Sequence, residues 1–215
     1  MPMPGAGDPY FYEWYIGLEN VIKMLNPDSG IKHVIFQHDE YDTIDDVVVE
    51  YANGNAQVCY QVKHNIGTAT TVSLTFGSML KREEEKKCLF EAMVQGWKKA
   101  STASSTTITP VLFTNRRMLN HRAGRHLNGI SYSAYGVNDF ILKMQKIILT
   151  QNGCTDFVIS DDALRCQWEE LCNTLSSVQR SDLIAFMKYF RIEANQPSLG
   201  DMKQSLVDLI AQTFG

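Results

Sequence analysis

The sequence lacks the features that define several large classes of protein. None of its hydrophobic stretches reaches the ~18 residues that a membrane-spanning helix needs, so no membrane partner is expected. Residues Met1 to Gly5 have neither the basic nor the apolar region of a secretory signal peptide. The five cysteines are odd in number and show neither Cys-x-x-Cys nor zinc-ligand spacing, which indicates a reducing compartment. We therefore expect a cytoplasmic protein.

Common catalytic motifs are also missing. There is no Gly-x-Ser-x-Gly nucleophile motif, no P-loop and no Rossmann glycine set. The net charge of −4 argues against nucleic-acid binding through overall charge. It does not exclude contacts with phosphates, because these depend on local patches of basic residues.

Basic residues are concentrated in one part of the chain, between Lys63 and Arg125. The charges at 81–87 fit the solvent-exposed face of a helix, where they contribute little energy. Arg116 and Arg117 instead follow a predicted central strand, where phosphate contact and simple exposure to solvent are equally good interpretations. The basic residues of this stretch are Lys81, Arg82, Lys86, Lys87, Lys98, Lys99, Arg116, Arg117, Arg122 and Arg125.

The most informative segment reads as a β-hairpin. Residues 44–51 and 56–63 are rich in β-branched side chains, as strands are. Between them lies Asn53-Gly54, and Asn-Gly is the strongest short-range hairpin signal because both residues tolerate positive φ. The sequence therefore predicts two antiparallel strands with a two-residue turn.

Such a turn determines which side chains share a face of the hairpin. In the simplest register Asp46 lies opposite Gln61, and Lys63 is on the same face. Asp45 would pair with Val62 on the apolar face, where an ionised carboxylate is costly. Asp46 is therefore the better candidate ligand, although a bulge would reverse this choice. An acid, an amide and an amine at one place suit a metal-dependent nuclease, which needs oxygen ligands and an ammonium group near the attacked phosphate.

Hydrophobic periodicity predicts an α/β fold around this hairpin. The pattern predicts an amphipathic helix over 9–25, a strand at 33–37, a loop near the site at 65–75 and a helix at about 79–101. A buried strand at 108–115 should join the hairpin in parallel through a right-handed crossover. Residues 120–135 are irregular, with room for one further strand. Four helices are predicted after them, over 138–150, 161–175, 181–190 and 199–214.

Several short motifs follow one another in a characteristic order. They are Tyr12-Glu13 on the first helix, Asp45-Asp46 entering a hydrophobic strand, Gln61-Val62-Lys63 followed by His64, then Leu80-Lys81, Gly96-Trp97 and the Val-Leu-Phe-Thr-Asn-Arg run at 111–116. This ordered set resembles the PD-(D/E)XK phosphodiesterase superfamily. Within it, the Mrr-like branch and the effector nucleases of bacterial antiphage systems are the nearer match. The resemblance covers roughly residues 5–125.

The resemblance implies a fold and a division of the chain. The expected fold is α/β, with a restriction-endonuclease-like mixed central sheet flanked by helices over residues 1–136. A C-terminal helical region over 137–215 would pack on this core, self-associate or link to a sensor domain.

The resemblance also implies roles for individual residues. Asp46, Glu13 and the amide oxygen of Gln61 would hold one or two Mg²⁺, for which Mn²⁺ can substitute, and the backbone carbonyl of Val62 is the alternative to the Gln61 oxygen. Lys63 would orient the attacking water. Glu19 lies on roughly the opposite side of the helix from Glu13, so only one of the two can face the site. The residues expected to surround the ligands or to contact DNA are Asp45, His64, Lys81, Arg116 and Arg117.

The function implied by the resemblance is metal-dependent endonuclease action on DNA, most simply double-stranded, as an effector in antiphage defence. The implied partners are DNA, further copies of the chain bound through its terminal helices, and a covalently linked sensor domain outside this chain. Two alternatives remain open. The site could be degenerate in a module that only binds DNA or protein, and nothing in the sequence distinguishes RNA from DNA as the substrate.

Overall fold

A computed structural model describes residues 8–39, 41, 43–52, 56–64, 73–82, 86–119, 122–151 and 157–214. The predicted turn at Asn53-Gly54 lies outside the described residues, as does most of the loop predicted at 65–75. Within the described ranges, no helix combines the length and the apolar character needed to cross a lipid bilayer.

Runs of strands and runs of helices follow one another along the chain. In order they are α1 (Asp8–Met24), a short 3₁₀ turn (Pro27–Ser29), β1 (Ile31–Phe36), β2 (Val47–Tyr51), β3 (Ala56–Lys63), β4 (Ser73–Leu74), α2 (Phe76–Leu80), α3 (Leu89–Ala103), β5 (Thr107–Thr114), β6 (Arg117–Met118), β7 (Ala123–Leu127), β8 (Ile130–Ala134), α4 (Val137–Thr150), α5 (Asp162–Thr174), α6 (Arg180–Tyr189), β9 (Arg191–Glu193) and α7 (Leu199–Phe214).

Contacts group these elements into two compact units that interleave along the chain. The first comprises Met1–Val72, Lys99–Arg117 and Arg191–Gly215, and the second comprises Ser73–Lys98 and Met118–Phe190. The predicted division into a nuclease core over 1–136 and a helical region over 137–215 concerns function, and it stays a prediction.

The first unit is built on a five-stranded sheet in the order β1-β2-β3-β5-β9. Strand β2 runs antiparallel to both β1 and β3, whereas β5 runs parallel to both β3 and β9. The mixed sheet and its helices confirm the predicted α/β class, and the parallel pairing of β3 with β5 confirms that the strand after the hairpin joins it in parallel. Strand β9 was not predicted, because three residues are too few to show a period of two.

Helix α1 packs on one face of this sheet. Tyr12 and Ile16, four residues apart, lie one above the other on a single face of the helix. They are buried against Val47, Val49 and Val62, which point to the same side of the hairpin. The apolar face predicted for the hairpin therefore packs against α1. Because Glu13 is adjacent to Tyr12, this packing also sets the position of Glu13.

The second unit shows two differences from the sequence predictions. The helix predicted at 79–101 is two helices, since α2 ends at Leu80 and α3 begins at Leu89. The region 120–135 forms a hairpin of two strands, β7 and β8, rather than one strand. Its turn is Asn128-Gly129, with φ values of 48° and 80°. This is the Asn-Gly signal again, with both residues at the positive φ that such a turn requires.

Candidate active site

The hairpin register places Asp46 beside Gln61. Strand β2 pairs with β3 in the predicted register, from Glu50 opposite Gln57 to Val47 opposite Tyr60. Beyond the last of these pairs, the Asp46 carboxylate (Oδ2) accepts a hydrogen bond from the backbone N–H of Val62 at 2.6 Å. The same oxygen accepts a hydrogen bond from the side-chain amide of Gln61. Asp46 is thus fixed by two donors from the neighbouring strand.

Glu13 approaches this carboxylate from helix α1. Its side chain is half buried and is hydrogen-bonded to Gln37, and its charge interacts with those of Asp46 and Lys63. Glu19 instead forms an ion pair with Lys23 at 2.6 Å, one helical turn away. Of the two glutamates on α1, Glu13 is therefore the one whose charge interacts with those of Asp46 and Lys63, and its role in the site stays a prediction.

Both carboxyl groups bind a proton more readily than usual. Burial, and then the negative charge of Asp46, raise the pKa of Glu13 to about 7. Burial likewise raises the pKa of Asp46, against the opposing effects of the Val62 N–H and the Lys63 charge. Asp45 adds negative charge near both groups and is half buried. Two desolvated acids that repel one another are stabilised either by a proton or by a cation.

The donor types at this position fit a hard divalent cation. Asp46 and Glu13 offer carboxylate oxygens, and Gln61, which is only 4% exposed, offers an amide oxygen while its amide nitrogen donates to Asp46. Mg²⁺ prefers oxygen ligands of this kind. No group of three or more His, Cys, Asp and Glu side chains with metal-site geometry occurs in the described part of the chain. The proposed set contains only two acids, so it relies on Gln61 and on solvent to complete the coordination of a metal ion.

Two neighbours of the site were missed by sequence reasoning. Gln37 follows β1 with φ of 49°, and its backbone N–H donates to the carbonyl of Asp46 at 3.1 Å. In the sheet Phe36 pairs with Val47, so Gln37 comes opposite Asp46. The second is Thr114, whose contacts are described below; nothing local in the sequence indicates them.

His64 lies against the tyrosine of the first motif. The rings of His64 and Tyr12 are 4.4 Å apart between centroids, at an angle of 32°. Tyr12 is fully buried, and its hydroxyl donates to the carbonyl of Pro197 at 3.3 Å. The stack therefore joins α1, which carries Glu13, to the end of β3, which carries Lys63. This arrangement gives His64 a packing role beside the site.

The remaining basic candidates lie in different places. Lys81 is the exposed residue that ends α2, in the second compact unit. Arg116 and Arg117 follow β5 in the first unit; Arg117 is exposed and Arg116 is half buried. The Nε of Arg116 is buried without a hydrogen-bond partner among the described residues. An unsatisfied buried donor of this kind costs free energy.

Comparisons with known proteins place this chain in no established family. No protein-family model matches it, and no curated protein is a significant match. Two solved structures of a SAVED/CARF-domain receptor, Cap4 of Acinetobacter baumannii, align with it at 12% identity, with TM-scores of 0.46 and 0.45. The first contains the cyclic trinucleotide 3′3′3′-cAAA. Each alignment covers 99% of this chain but only 38% of the Cap4 chain. Similarity at this level transfers neither fold nor function.

Proposed function

We propose that this chain is a magnesium-dependent endonuclease of the PD-(D/E)XK type that hydrolyses phosphodiester bonds in DNA. The observation that carries the proposal is the meeting of Asp46, Gln61 and Glu13 beside Lys63. The pKa values of both carboxyl groups are raised, the charge of Lys63 acts on both, and Asp46 accepts a hydrogen bond from the Gln61 amide. Strongly perturbed carboxyl groups are common at functional sites, because nothing in folding alone rewards their proximity.

Each residue has a separate task in this proposal. Asp46, Glu13 and the Gln61 amide oxygen bind Mg²⁺, which supplies Lewis acidity for the phosphodiester when it is bound. The Gln61 and Val62 donors hold the Asp46 carboxylate in one orientation, so little reorganisation is needed at the moment of reaction. Lys63 is exposed, so its ammonium group can reach a phosphate in solvent and stabilise the negative charge that develops there.

The wider context of the activity is also part of the proposal. The order of the sequence motifs supports an effector nuclease in bacterial antiphage defence, activated through a linked sensor domain and self-association. Restriction-type nucleases cut both strands most simply as dimers with two active sites, which is why further copies of this chain are proposed as partners.

Supercoiled plasmid provides the direct test of the function. The chain should nick or linearise plasmid in the presence of Mg²⁺ and should fail to do so with EDTA, over a wide range of protein concentrations. Mg²⁺ should also raise the melting temperature of the protein, since a ligand that binds only the folded state stabilises it. A chain that neither cleaves DNA nor is stabilised by Mg²⁺ would contradict the proposal, and the chain would then be a binding module with a degenerate site.

Metal binding should depend on pH through Glu13. Because the pKa of Glu13 is raised to about 7, this group is mostly protonated at pH 6 and mostly ionised at pH 8. A cation competes with that proton, so the affinity for Mg²⁺ should rise about tenfold between pH 6 and pH 8. Titration of Mg²⁺ followed by thermal shift at the two pH values measures this, and Glu13→Gln should show a weaker affinity with little change over the same range.

The stability of the metal-free protein should fall, rather than rise, with increasing pH. A carboxyl group with a raised pKa binds more protons in the folded state than in the unfolded state. Stability therefore falls as pH rises from the usual glutamate pKa of 4.5 towards 7. Above pH 7, Glu13→Gln should be more stable than the wild type by roughly 1 kcal/mol, discounted for solvent screening of a half-buried group. A variant less stable at pH 8 than the wild type would mean that Glu13 is not under this electrostatic strain.

A further inference from the structure

Thr114 is a fully buried polar residue at the end of strand β5, next to the proposed site. It is 0% exposed, and it pairs directly with Lys63 in the parallel ladder between β3 and β5. Lys63 is the last residue of β3, so this is the last pair of the ladder. A buried hydroxyl at this point must find partners, since an unsatisfied one would cost free energy.

The hydroxyl of Thr114 binds the backbone on both sides of it. It donates to the carbonyl oxygen of Lys63 at 2.5 Å and accepts a hydrogen bond from the backbone N–H of Arg116 at 3.2 Å. One side-chain oxygen therefore links the main chain of the lysine to the main chain of the arginine. The link is made within the first compact unit, by residues that are 51 positions apart in sequence.

The chain after β5 is held from its other side as well. The backbone N–H of Gln196 donates to the carbonyl of Thr114 at 3.2 Å, and the N–H of Asn195 donates to the carbonyl of Arg116 at 3.0 Å. The backbone around Thr114 is thus fixed independently of its hydroxyl. Loss of the hydroxyl should leave β5 in place and release only the two backbone groups that the hydroxyl binds, the Lys63 carbonyl and the Arg116 N–H.

We propose that Thr114 is a positioning residue that fixes the backbone of Lys63 relative to that of Arg116. This inference rests on the proposed nuclease function, in which Lys63 acts at the attacked phosphate. Arg116, half buried and two residues after Thr114, is the second cation in this proposal and would contact another phosphate oxygen of the same strand. The Thr114 hydroxyl then helps to hold the two cations at a spacing that fits the substrate backbone.

Two substitutions at this position separate geometry from packing. Thr114→Val keeps the shape of the side chain and removes the hydroxyl, whereas Thr114→Ser keeps the hydroxyl and removes a methyl group. The valine variant should lower kcat for Mg²⁺-dependent DNA cleavage by about 10- to 100-fold, as small misplacements of catalytic groups do, and should raise KM for DNA. The serine variant should keep most of the wild-type activity.

Three control measurements accompany these rates. Activity is measured below the melting temperature of every variant, so that unfolding does not contribute. Mg²⁺ affinity should be unchanged in both variants, because Asp46, Glu13 and Gln61 are intact. Hydrogen exchange at the Arg116 amide, which needs no catalytic activity, should become faster in the valine variant and stay slow in the serine variant.

The possible outcomes are distinct. A valine variant that loses activity and exchange protection, with a serine variant that keeps both, supports the inference. A valine variant as active as the wild type overturns the positioning role and leaves the nuclease function standing. Equal losses in the two variants also overturn it, because they would show that packing rather than the hydroxyl matters. A wild type that does not cleave DNA overturns the proposed function itself.

Discussion

Replacing Lys63 with alanine should reduce Mg²⁺-dependent DNA cleavage by at least about 100-fold, which is the usual cost of losing one group that stabilises the charge of a transition state. Lys63 ends β3 on the same face as Gln61, and its charge acts on both Asp46 and Glu13. The positive charge of Lys63 opposes the rise in pKa of both carboxyl groups.

Stability should change little in this variant, because Lys63 is exposed and surface substitutions usually have small effects. The measurement is the initial rate of plasmid nicking, with circular dichroism and melting temperature as checks on folding. Lys32→Ala is the matched control, since Lys32 is an exposed lysine in β1 of the same sheet. Full activity of Lys63→Ala would show that the site has been placed on the wrong residues.

Loss of the Asp46 charge should have the second large effect. Asp46→Asn should lower activity by at least about 100-fold and abolish stabilisation by Mg²⁺, because an amide is a much weaker ligand for a hard cation than a carboxylate. The asparagine oxygen can still accept the Val62 N–H, so the hairpin should keep its structure. Since burial raises the pKa of Asp46, a neutral side chain is tolerated there, and the melting temperature without metal should not fall.

Asp45→Asn is the sharpest control for this experiment. It removes the same charge one residue earlier, and the backbone of Asp45 is held by the N–H of His38 at 2.9 Å in either case. We expect less than about a tenfold loss of activity, because Asp45 influences the site only through its charge at a distance. If Asp45→Asn were inactive and Asp46→Asn active, the assignment of the metal ligand would be reversed.

The sequence determined the part of the site that lies within one hairpin. An Asn-Gly pair between two alternating strands leaves few registers, and a shift by one residue would turn every apolar side chain to solvent. Asp46 and Gln61 are therefore adjacent for a local reason, and Lys63 follows from the period of two. The helical stripes of α1 and α4 to α7 were likewise predictable to within two residues at each end.

Contacts between distant segments needed the tertiary structure. The hydrogen bond of Gln37 to Glu13, the stack of His64 on Tyr12 and the link from Thr114 to Lys63 each join segments whose relative position no local period specifies. The raised pKa of Glu13 also depends on burial that only packing of α1 on the sheet creates. Local pattern sets strands, helices and register because these depend on neighbours in sequence. Only the packed fold decides which side chains from different elements share one desolvated space.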